Sequence, residues 1–142
     1  MINSASMICY GERSSSLAKL SKNNLFCFSW KNTPKEFIRS IHHNRPSGVA
    51  MSFLKASPYL DLASTILHET QSGIPLFLIV EDSVTEAQGF AQLVSNPRVD
   101  FASTKAPPEE LAQRLRVLLQ AHSISKRERL PGSSDITSFL YN

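Results

Sequence analysis

The sequence contains little cysteine and no long hydrophobic run, and these two shortages exclude several classes of protein. The 142 residues include two cysteines, Cys9 and Cys27, which do not form a Cys/His spacing typical of zinc sites. Both lie in short apolar segments that we predict to be strands, which favours buried thiols over a disulfide framework. No apolar run reaches the roughly 18 residues that are needed to span a bilayer. We therefore expect a cytoplasmic protein without bound metal or membrane contact.

Glycine-rich nucleotide motifs and a broad basic face are also missing. Neither a G-x-G-x-x-G sequence nor a Walker-type loop occurs, so nothing indicates a dinucleotide or a nucleoside triphosphate. The net charge is +3. Its clearest local source, residues 126–129, is much smaller than the basic face that nucleic-acid binding requires. We expect no cofactor and no direct contact with nucleic acid.

What the chain does contain is a regular alternation of short apolar runs with helix-like stretches. The runs cover residues 7–10, 25–30, 49–53, 74–80 and 99–102. The fourth run is the most hydrophobic, and its near-continuous apolar character is typical of a parallel strand buried on both faces. This order predicts an α/β domain of the (βα)5, flavodoxin-like type, with a central parallel five-stranded sheet and helices on both faces.

The starts of three predicted helices carry recognisable signals. Two are capping boxes and one is a proline pair followed by two acids: Thr33-Pro34-Lys35-Glu36, Ser83-Val84-Thr85-Glu86 and Pro107-Pro108-Glu109-Glu110. The last helix, predicted over residues 109–120, has the clearest amphipathic stripe, formed by Leu111, Leu115, Leu118 and Leu119. We predict one domain over residues 1–122. We interpret residues 123–142, which have weak periodicity, as a tail or a linker to an absent output domain.

Three segments carry a family resemblance. They are RPSGVAMS at residues 45–52, GIPLFLI at residues 73–79 and VDFASTKAPPEEL at residues 99–111. In this order and at these distances they resemble the receiver domain of bacterial response regulators, of the chemotaxis-regulator type. The first is similar to the segment with the phospho-accepting aspartate, and the second to the fourth strand. The third is similar to the fifth strand, the lysine–proline turn and the last helix.

The resemblance implies a set of phosphoryl-transfer positions, and this chain departs from most of them. A receiver needs a carboxylate that accepts the phosphoryl group and an acidic pair that holds Mg²⁺. Ser52 stands at the acceptor position, and Gly11 and Glu12 stand at the acidic pair. Serine cannot form an acyl phosphate, and a single carboxylate makes a weak Mg²⁺ site.

Three further positions concern the switch that follows phosphorylation in the family. Val80 stands where a hydroxyl is expected, and its side chain cannot form a hydrogen bond. Phe101 matches the aromatic switch residue. The lysine that receivers have after the fifth strand aligns with Thr104 when no gap is allowed, or with Lys105 after a shift of one residue.

These departures predict a non-catalytic pseudo-receiver, a protein that regulates bacterial signal transduction or transcription and is not an enzyme. Family resemblance places the contact surface on the fourth helix, fifth strand and fifth helix, here residues 85–94, 99–102 and 109–120. Through it we expect a homodimer or a bound protein partner. The candidate interface residues are Gln88, Phe90, Phe101, Arg114 and Leu118.

Two other hypotheses stay open at the level of the sequence. The first is a phosphorelay receiver with an atypical acceptor site. It would bind a divalent ion through Glu12, Glu81 or Asp82 and would accept its modification at Ser52 or another side chain. The second is a flavodoxin-like ligand-binding domain, which needs an open crevice with converging polar groups at the same strand ends.

Overall fold

The central feature of the protein is a five-stranded parallel sheet. A computed structural model describes residues 5–12, 15–20, 22, 25–70 and 73–128. The strands are β1 (Ala5–Gly11), β2 (Phe26–Trp30), β3 (Gly48–Phe53), β4 (Leu76–Val80) and β5 (Val99–Ser103). Every neighbouring pair is parallel, and the strand order is β2-β1-β3-β4-β5. The predicted α/β architecture is therefore confirmed, with the strand order of a flavodoxin-like fold.

Helices connect the strands on both sides of the sheet. They are α1 (Ser15–Leu20), α2 (Pro34–Asn44), α3 (Tyr59–Glu69), α4 (Phe90–Val94) and α5 (Pro108–Glu128). As predicted, Thr33 caps α2 by accepting a hydrogen bond from the backbone N–H of Glu36, at 3.1 Å. Among the described helices, none has both the length and the apolar character required to span a bilayer.

The second predicted capping box is wrong. The segment forms a 3-10 helix (Asp82–Glu86) without a side-chain cap, and α4 begins only at Phe90. Val84 is buried directly after β4, and the side chain of Asp82 accepts a hydrogen bond from Ser103 on β5. These two contacts hold the chain in a tight turn, and Gly89, with φ 93°, then redirects it into α4.

Helix α5 is longer than the sequence pattern indicated. We predicted its end near residue 120 and a tail from residue 123, whereas the helix continues to Glu128. The reason is local, because neither proline nor glycine interrupts the chain between Glu109 and Pro131. The rest of the predicted tail, from residue 129 onward, lies outside the described residues.

The sheet separates two hydrophobic cores, which we call the α2/α3/α4 core and the α1/α5 core. Along β3, Val49, Met51 and Phe53 belong to the first, whereas Ala50 belongs to the second. Both β3 and β4 are buried along their whole length, as expected for central parallel strands.

The two cysteines differ in environment. Cys9 on β1 is buried, whereas Cys27 on β2 is exposed. The prediction that both thiols are buried is therefore wrong for Cys27. Since β2 is an edge strand and alternation turns Phe26 and Phe28 toward the α1/α5 core, Cys27 faces the other side, where the sheet edge is open to solvent.

Candidate functional site at the carboxyl ends of the strands

The ends of β1 and β3 meet at Gly11 and Ser52, which are register partners. Gly11 has φ 120°, and a Cβ added there would collide with the carbonyl oxygen of Ser52. The next residue, Glu12, donates its backbone N–H to that same carbonyl at 2.6 Å. Glycine is thus required for β1 to leave the sheet while it remains hydrogen-bonded to β3.

The Glu12 carboxylate, the acidic residue expected at the Mg²⁺ position, is engaged within the protein. Its Oε1 accepts a hydrogen bond of 2.8 Å from the backbone N–H of Leu54. This contact ties the loop after β3 to the end of β1. The carboxylate therefore has a structural partner independent of any bound ion.

Ser52, the expected acceptor position, is enclosed by the protein. It is 1% exposed, and among the described residues its hydroxyl has no hydrogen-bond partner. Strand alternation explains this position, because Met51 and Phe53 face the α2/α3/α4 core and Ser52 must face the opposite side. A kinase or a phosphodonor has no access to this hydroxyl.

The ends of β4 and β5 form a separate polar network. Ser103 donates its hydroxyl to Asp82 Oδ1 at 3.0 Å, and Lys105 Nζ lies 3.7 Å from Asp82 Oδ2. The backbone N–H of Lys105 donates to Ser103 Oγ, and that of Thr104 to the carbonyl of Val80. Ser103 was not among the predicted site residues, since a serine at a strand end is too common to be a signal.

Several of the predicted site residues have partners within the protein or lie in its core. The side chain of Val80 is fully buried in the α2/α3/α4 core, so the hydroxyl position has become part of the core. The Lys105 ammonium pairs with Asp82, and the Glu12 carboxylate contacts Leu54. In the described part of the chain, no group of three or more His, Cys, Asp or Glu side chains is placed to hold a metal ion.

A small depression lies beside these residues, over the ends of β1 and β2 and the start of α3. Its volume is about 220 Å³, and its walls include Tyr10, Glu12, Trp30, Lys31, Asn32 and Tyr59. Over β3 and β4, by contrast, Met51 and Val80 are completely buried. The side chains of Met51 and Val80 are thus packed into the α2/α3/α4 core, and the depression lies beside them, toward the β2 edge.

The two tyrosines of this depression are held by aromatic partners. Tyr10 stacks on Phe37 with a centroid distance of 5.3 Å, and Tyr59 stacks on Phe53 at 5.1 Å. The two tyrosine rings lie 6.3 Å apart, at an angle of 44°. Burial first, and then the charge of Glu12 and the neighbouring Tyr10, raise the pKa of Tyr59 above its ordinary value.

The predicted contact surface needs two corrections. Phe90 is only 3% exposed and belongs to the α2/α3/α4 core, and Leu118 is 7% exposed and belongs to the α1/α5 core. Neither can contact a partner, because α4 and α5 turn their apolar faces toward the sheet. Gln88 is exposed, and Phe101 is half-buried with its ring edge-to-face against Phe90 at 5.0 Å.

Arg114 organises the part of this surface where α5 runs beside β5. Its guanidinium lies 3.6 Å from Asp100 and 3.4 Å from Glu110, and it donates to the carbonyl of Phe101. Val117, one turn further along α5, is 54% exposed and is an unexpected apolar residue here. The solvent-facing surface thus combines Gln88, Phe101, Arg114 and Val117, and we call it the β5/α5 surface.

Comparison with known proteins adds no family to this description. No family model matches the chain, and no curated protein matches it either. The receiver resemblance therefore depends on the three sequence segments and on a strand order that many α/β domains share.

Proposed function

We propose that this chain is a non-catalytic pseudo-receiver that acts in bacterial regulation by contact between protein surfaces. The observation that carries the proposal is the burial of the expected acceptor position, Ser52, inside the protein. The Ser52 hydroxyl is enclosed, the Glu12 carboxylate accepts from Leu54, and the Lys105 ammonium pairs with Asp82. An aspartyl-phosphate mechanism needs a carboxylate acceptor and a metal site; Ser52 stands at the acceptor position, and the described residues include no group of three or more metal ligands.

The contact surface that supports this proposal is the β5/α5 surface. It offers the exposed Val117 side chain and the half-buried Phe101 ring beside the charged pair of Arg114 and Asp100. Exposed apolar side chains and charged groups are both common in protein interfaces. Because β5 lies at the edge of the sheet, its outer side is also open to a neighbouring chain. We propose a homodimer through this surface.

The proposed location is the cytoplasm. Cys27 is an exposed free thiol. An exposed free thiol is typical of a reducing compartment, where disulfides are rare.

The oligomeric state tests the proposal. We expect sedimentation equilibrium to give the mass of a dimer for the wild-type chain and the mass of a monomer for Val117→Asp, since a carboxylate at the centre of the interface would be desolvated without a partner. Leu54→Asp is the matched control, because Leu54 is another exposed apolar residue, on the loop after β3. Loss of the dimer in both variants, or in neither, contradicts the assignment of this surface.

A second arm separates the pseudo-receiver from a receiver with an atypical acceptor. Beryllofluoride with Mg²⁺ imitates a phosphoryl group at a receiver site, so we expect no change in dimer mass and no amide shifts at Gly11, Ser52 or Lys105. Acetyl phosphate should leave the protein mass unchanged. A gain of one phosphoryl group, or shifts at these strand ends, would establish the phosphorelay alternative instead.

A further inference from the structure

The depression over β1 and β2 combines three aromatic side chains with one carboxylate. Tyr10, Trp30 and Tyr59 line it together with Glu12. The face of an aromatic ring carries partial negative charge and attracts cations, and a carboxylate adds a full opposite charge. This combination suits an organic cation.

The walls of the depression are fixed before any ligand arrives. Tyr10 and Tyr59 each stack on a fully buried phenylalanine, and their rings meet at 44° to form a corner. Glu12 is held by its 2.8 Å hydrogen bond with the backbone of Leu54. Because these side chains need no further ordering, binding costs little conformational entropy.

One carboxylate, Glu12, and one ammonium, Lys31, line the depression, so the aromatic rings are what favour a cation over an anion. Glu12 lies close enough to Tyr59 for its negative charge to raise the pKa of that hydroxyl, after the larger effect of burial. The main chain of Lys31 is fixed by a hydrogen bond from its N–H to the carbonyl of Cys9. Its ammonium stands on a long flexible stem that reaches solvent easily, so it need not occupy the depression.

We propose that this depression binds a small alkylammonium group, such as a trimethylammonium head. The volume of about 220 Å³ is smaller than the pockets that enclose drug-sized molecules. It suits a compact cation against the aromatic corner, with Glu12 as the counter-ion. This site is distinct from the proposed β5/α5 surface, because β2 and β5 form opposite edges of the sheet.

Tryptophan fluorescence provides a direct test, because Trp30 is the single tryptophan of the chain and lines the depression. Choline should change the fluorescence in a saturable manner at millimolar concentration. Its uncharged isostere 3,3-dimethylbutanol, which has the same shape, should give no saturable change. An equal response to the two compounds, or no saturation by choline, overturns the proposal.

Three variants distinguish the cation site from a nonspecific apolar pocket. Glu12→Gln keeps an oxygen acceptor for the Leu54 amide but removes the charge, so the Kd for choline should rise about tenfold. Tyr59→Leu should abolish binding, whereas Tyr59→Phe, which keeps the ring, should bind within about twofold of the wild type. Far-UV circular dichroism verifies that each variant is folded.

The control is Glu109→Gln, which removes an exposed carboxylate from the first turn of α5. It should leave the choline affinity unchanged. If the Glu12→Gln variant binds choline as tightly as this control, Glu12 is not the counter-ion. Val117→Asp should also bind choline normally, so failure of the dimer and failure of the cation site give different results.

Discussion

At the residue scale, Gly11 shows how a single backbone position controls the strand-end edge. Its φ of 120° is unfavourable for other residues, and an added Cβ would meet the carbonyl of Ser52. Gly89 has a similar positive φ of 93°, but an added Cβ would find open space there. Comparing substitutions at Gly11 and Gly89 therefore distinguishes the free-energy cost of a positive φ from the cost of a steric collision.

We expect Gly11→Ala to lower the free energy of unfolding by about 2–4 kcal/mol, since strain and collision both act. Gly89→Ala should lower it by only about 1 kcal/mol, because strain acts alone. Urea denaturation followed by circular dichroism measures both. Equal losses in the two variants would show that the contact with Ser52 costs nothing.

Ser52 provides the second residue-scale prediction. The buried Ser52 hydroxyl has no hydrogen-bond partner among the described residues, so its desolvation is not repaid. We expect Ser52→Ala to raise the free energy of unfolding by up to about 1 kcal/mol. Thr70 is the matched control, because its buried hydroxyl donates to the carbonyl of Ile66 at 2.5 Å. Thr70→Val should lower the free energy of unfolding by about 1 kcal/mol. Destabilisation by Ser52→Ala would mean that its hydroxyl has a partner in solution.

At the scale of elements, Arg98 joins the end of α3 to the start of β5. Its guanidinium donates to the carbonyls of Leu67, Thr70 and Ile74, close to the last turn of α3. The carbonyls of Leu67 and Thr70 lie at the end of α3, where the last carbonyls have no partner within the helix, and a positive charge there also complements the helix dipole. Burial lowers the pKa of Arg98. The N–H groups of its guanidinium donate to backbone carbonyls instead of to a carboxylate.

Arg98→Lys should lower the free energy of unfolding by about 2 kcal/mol, because a compact ammonium cannot reproduce the fork of donors. Arg39→Lys, an exchange at an exposed position on α2, should change it by less than about 0.5 kcal/mol. Thermal or urea unfolding of the two variants gives the comparison. If both exchanges have the same small effect, the backbone contacts of Arg98 do not stabilise the helix end.

At the scale of the whole molecule, the sequence predicted the five strands well because each is a compact apolar run. The 3-10 turn and the short α4 were not predictable in the same way. They depend on the contact between Asp82 and Ser103, which are 21 positions apart. Local signals such as a capping box cannot represent a contact of this kind.

The candidate site was predictable in outline only. The carboxyl ends of parallel strands meet at one edge, so the neighbourhood of Gly11, Glu12 and Ser52 followed from the fold. The partner of Glu12 did not, because Leu54 is 42 positions away and contributes a backbone amide. The burial of Leu118, by contrast, was predictable from the sequence, because Leu118 belongs to the leucine stripe of α5.

The buried strand β4 has a consequence for the chain before it folds. Leu76–Val80 is uncharged, rich in β-forming residues and free of proline, which is the composition of segments that stack into amyloid-like aggregates. In the unfolded chain this segment loses the protection of β3 and β5. Pro75 precedes it, and Glu81 and Asp82 follow it directly, as gatekeepers that oppose such stacking. We therefore expect the two acids to favour solubility of the chain during synthesis, without any bound metal.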